Sequence, residues 1–191
     1  MRSPAEYRKI YYTGIKFQDT PELQFGKNVA TLLEHADESM KHIKQYSHPE
    51  YKLNVTIDGV PIFGFIDSFD PETLSYLEYK TGKQPWTQAR VDKHFQLDLY
   101  SVCIEELFGD VHDECELIWM ETRKIDKPQM GLTTALDSYE IEFTGNVRSF
   151  LRTITKSDRQ EARKNIVRIS DEIKQDYQEW LKANAPKVGL Y

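Results

Sequence analysis

Pro61-Ile-Phe-Gly-Phe-Ile-Asp-Ser-Phe69 runs through Asp70-Pro-Glu-Thr73 into Leu74-Ser-Tyr-Leu-Glu-Tyr-Lys-Thr81, and these 21 residues decide the fold. Two apolar, aromatic-rich runs separated by a proline-containing turn predict two paired strands. A hairpin centred between Glu72 and Thr73 sets Asp67 opposite Glu78. Lys80, two residues after Glu78, then shares its face. Facing carboxylates repel unless a cation lies between them. The same face carries two acids and a lysine, with Phe63, Phe65 and Phe69 flanking Asp67. This is the equipment for phosphodiester hydrolysis, in which carboxylates hold a hard cation and an ammonium orients water or meets developing charge.

Upstream, Tyr51 to Ile57 alternates as a half-buried strand and ends at the turn pair Asp58-Gly59. Before it, Phe25, Val29, Leu32, Leu33, Ala36, Met40 and Ile43 recur at helical spacing, predicting one amphipathic helix over 22–46, stopped at His48-Pro49. Downstream, Val91, Phe95, Leu99, Val102 and Leu107 predict a helix over 87–108. Strands follow at 115–123 and 139–143. A final helix at 156–183 carries a stripe of Ile166, Ile169, Ile173, Tyr177 and Leu181, read as packing or as a surface for a protein partner or a second copy. Helix, three strands, helix, two strands, helix predicts an α/β fold, a central mixed sheet flanked by helices.

The chain has 191 residues, 39% hydrophobic and 29% charged, with a net charge of −6. That size suits one domain over 1–191, with a core at about 22–125 and a C-terminal strand and helix at 139–185. The acidic balance speaks against one broad basic nucleic-acid-binding face. A local groove is still allowed, because Lys80, Lys83, Arg90 and Lys93 face only Asp92 in their stretch. Cys103 and Cys115 are too few for a four-cysteine cluster and read as buried apolar residues. The start of the chain does not read as a signal peptide and no segment approaches a membrane span, which predicts a cytoplasmic protein.

Gly64-Phe-Ile-Asp67, Leu77-Glu-Tyr-Lys-Thr-Gly82 and Gln96-Leu-Asp-Leu-Tyr100 resemble successive motifs of RecB-like PD-(D/E)XK nucleases, of the phage-exonuclease type without an iron-sulfur cluster. The resemblance extends upstream through Ser3-Pro-Ala-Glu-Tyr-Arg-Lys-Ile-Tyr-Tyr12 and Phe25-Gly-Lys-Asn-Val-Ala-Thr-Leu-Leu-Glu34. It implies a restriction-endonuclease-like core and cleavage of DNA with Mg2+ or Mn2+. By resemblance Asp67, Glu78 and the Tyr79 carbonyl bind metal, Lys80 is catalytic, and Gln96 and Tyr100 border the site. Many relatives carry a metal-binding histidine four residues after the helix glycine. Counting from Gly26 that position is Ala30, which leaves Glu34, or alternatively His35, as the first-motif ligand.

Each residue also has a bland reading. Glu-x-Lys alone is common on solvated strands, and Glu34 is equally a solvated helix carboxylate. Gln96 and Tyr100 fit an ordinary amphipathic helix. Lys83, Arg90 and Lys93 either solvate a helix start or contact phosphates, the second being favoured. Trp86 either packs or stacks on a base, and packing is the reading taken. The rival to the nuclease is a catalytically inactive nucleic-acid-binding or scaffold module on the same fold.

Overall fold

The computed structural model describes residues 4–14, 20–27, 29, 33, 40–127 and 139–184. In chain order the elements are α1 (Pro4–Tyr11), α2 (Pro21–Lys27), β1 (His48–Ile57), β2 (Val60–Asp70), β3 (Ser75–Gly82), α3 (Gln88–Val91), α4 (Phe95–Phe108), β4 (Glu114–Asp126), β5 (Tyr139–Thr153) and α5 (Lys156–Asn184).

The five strands form one sheet in sequence order. β3 and β4 run parallel, joined across α3 and α4, and every other pair is antiparallel. The sheet is therefore mixed, as predicted, and helices cover both faces. Asp58 and Gly59 both take positive φ, 47° and 82°, the twist that a two-residue hairpin between β1 and β2 requires. At the next turn the Asp70 carboxylate accepts the Glu72 N–H at 3.0 Å and the Thr73 hydroxyl at 2.9 Å. Asp70 is thus a turn-former, and the register Asp70↔Ser75, Phe69↔Tyr76, Ser68↔Leu77 is the one predicted.

On one face α4 packs against Ile66, Phe69, Tyr76, Leu117 and Trp119 through Leu97, Tyr100, Cys103 and Ile104. α5 closes over α4 and the β1–β2 hairpin through Ala162 and Ile166, which meet Val102 and Ile57. On the other face Val29 and Leu33, both helical, cover Leu77, Tyr79, Ile118 and Met120. Cys103 and Cys115 are buried free thiols. Among the described residues no helix is long and apolar enough to cross a membrane.

Four expectations need correction. The first helix does not reach Tyr46: residues 40–43 form a turn closed by Ile43 N–H on Met40 O at 2.9 Å, and His48-Pro49 opens β1. The helix expected over 87–108 is two, because Asp92-Lys93-His94 breaks it and His94 is extended. The break changes the buried face, so Leu97 is buried while Leu107 is 41% exposed. The strand expected at 139–143 runs on to Thr153 across an irregularity opposite Glu121, where Gly145 takes φ 90°. Finally, the apolar stripe of α5 is buried only at its start, since Tyr177 and Leu181 are exposed. Its far half meets the N-terminal segment instead, through Arg8 of α1 paired with Asp176 and Tyr12, just past α1, against Tyr177 and Trp180.

Candidate active site

β2 and β3 part just where the chemistry sits. Beyond Ser68↔Leu77 the Tyr79 N–H is taken not by a backbone carbonyl but by the Asp67 carboxylate, at 2.8 Å. One residue back, Glu78 is 1% exposed. One of its oxygens accepts the Lys80 ammonium and the other accepts the Gln96 amide N–H at 3.1 Å. The Gln96 carbonyl in turn accepts from Lys80 at 3.0 Å. One amide thus bridges the acid and the lysine. The Gln96 amide N–H also reaches the Tyr100 hydroxyl, which donates to the Phe65 carbonyl at 2.7 Å.

This network depends on the start of α4. Gln96 and Tyr100, four apart, lie on one side of the helix, and the break at Asp92–His94 begins α4 with Gln96 in its first turn. Asp67, Glu78, Lys80, Gln96 and Tyr100, distant in sequence, are brought together. The aromatic surroundings differ from expectation: Phe69 is buried, but Phe63 and Phe65 are 66% and 49% exposed.

Burial pushes the Glu78 carboxyl up to about 8, helped by the Asp67 charge and opposed by Lys80. Burial also raises Asp67, held back by the Tyr79 N–H and Lys80. Burial and the charges of Glu78 and Asp67 push the Tyr100 phenol far up, so it stays a donor. Two carboxylates here compete for too little positive charge, and Glu78 retains a proton near neutrality. A hard divalent cation would fit in place of that proton. Glu34 and His35 lie outside the described residues. Among the described residues no three His, Cys, Asp or Glu side chains gather as a cation site; Asp67 and Glu78 are two neighbouring acids that could hold one together.

Lys83, Arg90 and Lys93 are exposed on the chain leaving β3. Lys83 lines a cleft with Thr81, Arg123 and Lys124. A β-carbon at Gly26 would lie 3.6 Å from Thr81 Oγ1, so α2 reaches the end of β3 just past Lys80. The Arg90 guanidinium carbon lies over the Trp86 ring, 3.7 Å from its centroid; Trp86 itself is buried, in line with the packing reading. Three neighbours of the site escaped sequence reasoning. Glu50, at φ 48°, adds negative charge near Asp67. His94, its imidazole pushed down to about 4 by burial and the Lys80 charge, stays neutral. Trp119 pairs with Lys80 across the sheet. None carries a local signal, because each is placed by register or by the helix break.

The profile of the PD-(D/E)XK nuclease superfamily matches residues 8–187, and the chain belongs to that superfamily. No curated protein matches it significantly. Among solved structures, a phage-related exonuclease from Haemophilus somnus 129PT superimposes with a TM-score of 0.52 at 12% identity, over 94% of this chain and 81% of the other. A protein from Eubacterium rectale with a provisional exonuclease assignment gives 0.41 at 12% identity, over 92% of this chain and 62% of the other. The first shares the fold.

Proposed function

We propose that the protein is a divalent-metal-dependent deoxyribonuclease that degrades DNA from an end. The observation that carries this reading is the shared Gln96 amide, which ties Glu78 and Lys80 together beside Asp67. Asp67 and Glu78, with the Tyr79 carbonyl, would hold Mg2+ or Mn2+, which supplies the charge to polarise a phosphate and lower the pKa of a water. Glu34 or His35 would complete the set. Lys80 spends two of its three N–H groups on Glu78 and Gln96, leaving one for the attacking water or a phosphate oxygen. Gln96 and Tyr100 position Lys80 and Glu78 and do not react. Lys83, Arg90 and Lys93 hold the DNA backbone. The exonuclease mode is supported by the named activity of the structural neighbour from H. somnus, and a role in recombination or repair of DNA fits such an enzyme.

Purified protein is incubated with end-labelled linear and closed circular DNA under Mg2+, Mn2+ or chelator, beside Glu78→Ala. Metal-dependent loss of linear DNA, absent in the variant and sparing circles, is the expected result. Attack on circles would make the enzyme an endonuclease. Silence under every metal would favour the inactive binding module.

A further inference from the structure

Most described arginines are neutralised by a carboxylate. Arg8 pairs with Asp176, Arg123 with Glu142, Arg152 with Asp98, Arg159 with Glu105 and Asp113, Arg163 with Glu105 and Glu106, and Arg168 with Glu172. Among the described residues Arg90 and Arg148 have no such ion pair. Both instead rest on a tryptophan: Arg90 on Trp86, and Arg148 on Trp119 with its guanidinium 5.9 Å from the ring centroid. Glu121 feels the Arg148 charge, but its carboxylate is taken up by Thr144 and Asn146 and forms no ion pair with Arg148, so in a chain of net charge −6 this guanidinium keeps its donors available.

The register says where that charge points. Lys80 pairs with Trp119, and Trp119 pairs with Arg148, so the three form one row across the sheet. Arg152, four residues on and on the same face, reaches Asp98 on α4 and the His94 carbonyl at 3.0 Å. Arg148 therefore lies on the α4 face with Lys80. Two strand spacings separate them, about 10 Å, so one DNA strand can pass over both. Trp119 is 3% exposed, so the ring near Arg148 is fixed, and a cation–π contact consumes none of the guanidinium's donors. α3 overhangs the same region, since Gln88 donates to the Leu151 carbonyl at 2.8 Å, and it carries Arg90.

We infer that Arg148, on the edge strand β5, is a phosphate-contacting residue that grips the DNA strand a few nucleotides from the scissile bond. The inference rests on the nuclease reading above. A planar guanidinium beside an aromatic ring offers two parallel donors to phosphate oxygens, which a lysine does not.

The test compares wild type, Arg148→Ala, Arg148→Lys and the α5 surface control Arg168→Ala. Each is titrated with a fluorescein-labelled linear duplex in Ca2+ over a range of salt, and kcat and KM are then measured in Mg2+. Arg148→Ala should weaken binding about fivefold to thirtyfold, reduce the salt slope by about 1 and leave kcat within about threefold of wild type. Arg148→Lys should recover part of the affinity, while Arg168→Ala should match wild type. If wild type cleaves and Arg148→Ala binds with unchanged affinity and slope, the inference fails alone. A fall in kcat together with a lowered Tm would make Arg148 structural and also overturn it. If wild type neither binds nor cleaves DNA, the nuclease reading fails and takes this one with it.

Discussion

Glu78 is the residue where stability and activity pull in opposite directions. Its carboxyl would titrate near 4.5 in the unfolded chain and is pushed up to about 8 in the fold. Between those values the folded protein holds a proton that the unfolded chain has released. The stability linked to that proton is complete below about 4.5 and drains away as pH rises to about 8. Metal-free protein should therefore show a Tm that falls over this window. Glu78→Gln, a neutral isostere, should flatten the profile, stabilise the metal-free protein at pH 8 by on the order of 2 kcal/mol and abolish cleavage. Differential scanning fluorimetry decides it: a variant less stable than wild type at pH 8 would sink the idea. Mg2+ should raise the wild-type Tm there and leave the variant unmoved. Lys80 is 26% exposed, so its loss leaves no large cavity. Lys80→Ala should fold normally by circular dichroism and cleave about 100-fold to 1,000-fold more slowly; full activity would remove Lys80 from the mechanism.

At the scale of elements, the sheet centre was legible because its determinants are local. Asp58-Gly59 and Asp70-Pro71-Glu72 fix two turns, and from the second follows the pairing of Ser68 with Leu77 that sets Asp67 by Glu78. The break at Asp92–His94 was illegible, since the helical period runs through it and no side chain caps the new start. The length of β5 was hidden by Thr144-Gly145-Asn146. There Glu121 accepts from the Thr144 hydroxyl at 2.7 Å and the Asn146 amide at 2.6 Å, stitching over an interruption that reads as a strand end. Arg148 was unreadable for a different reason: its meaning depends on register across three strands. Gln96 and Tyr100 were named by resemblance, and the structure joins them to each other and Gln96 to Glu78 by hydrogen bonds. Another contact that sequence does not announce joins α5 to the core. Arg159, buried, donates to Glu105 at 3.1 Å, Asp113 at 2.9 Å and the Ile154 carbonyl at 2.8 Å. Arg159→Ala would leave those acceptors uncompensated and cost about 2–3 kcal/mol, lowering Tm by roughly 5–10 °C. A Tm within a degree or so of wild type would show that apolar packing at Ala162 and Ile166 alone holds the helix.

For the whole molecule the question is how a chain of net charge −6 engages a polyanion. On the proposed deoxyribonuclease reading, long-range attraction contributes little, and affinity would come from a few cations at short range and from the metal. Lys80 and Arg148 share one row of the sheet, and Lys83, Arg90 and Lys93 are exposed on the chain leaving β3, while most other arginines are bound to carboxylates. Each phosphate contact releases condensed counterions and contributes a slope of about −0.9 to log K against log salt. About four contacts predict a slope of −3 to −4, shallower than that of a protein with a broad basic face. The carboxylates add a second condition. Without a cation, Asp67 and any ionised Glu78 repel the scissile phosphate, so chelator should weaken binding at least about tenfold relative to Ca2+. Fluorescence anisotropy over about 50–200 mM salt, with Ca2+ or chelator, tests both. A slope steeper than about −6 would mean that DNA spreads over far more of the surface than these five residues. Binding indifferent to metal would mean that the backbone does not enter between Asp67 and Lys80 at all.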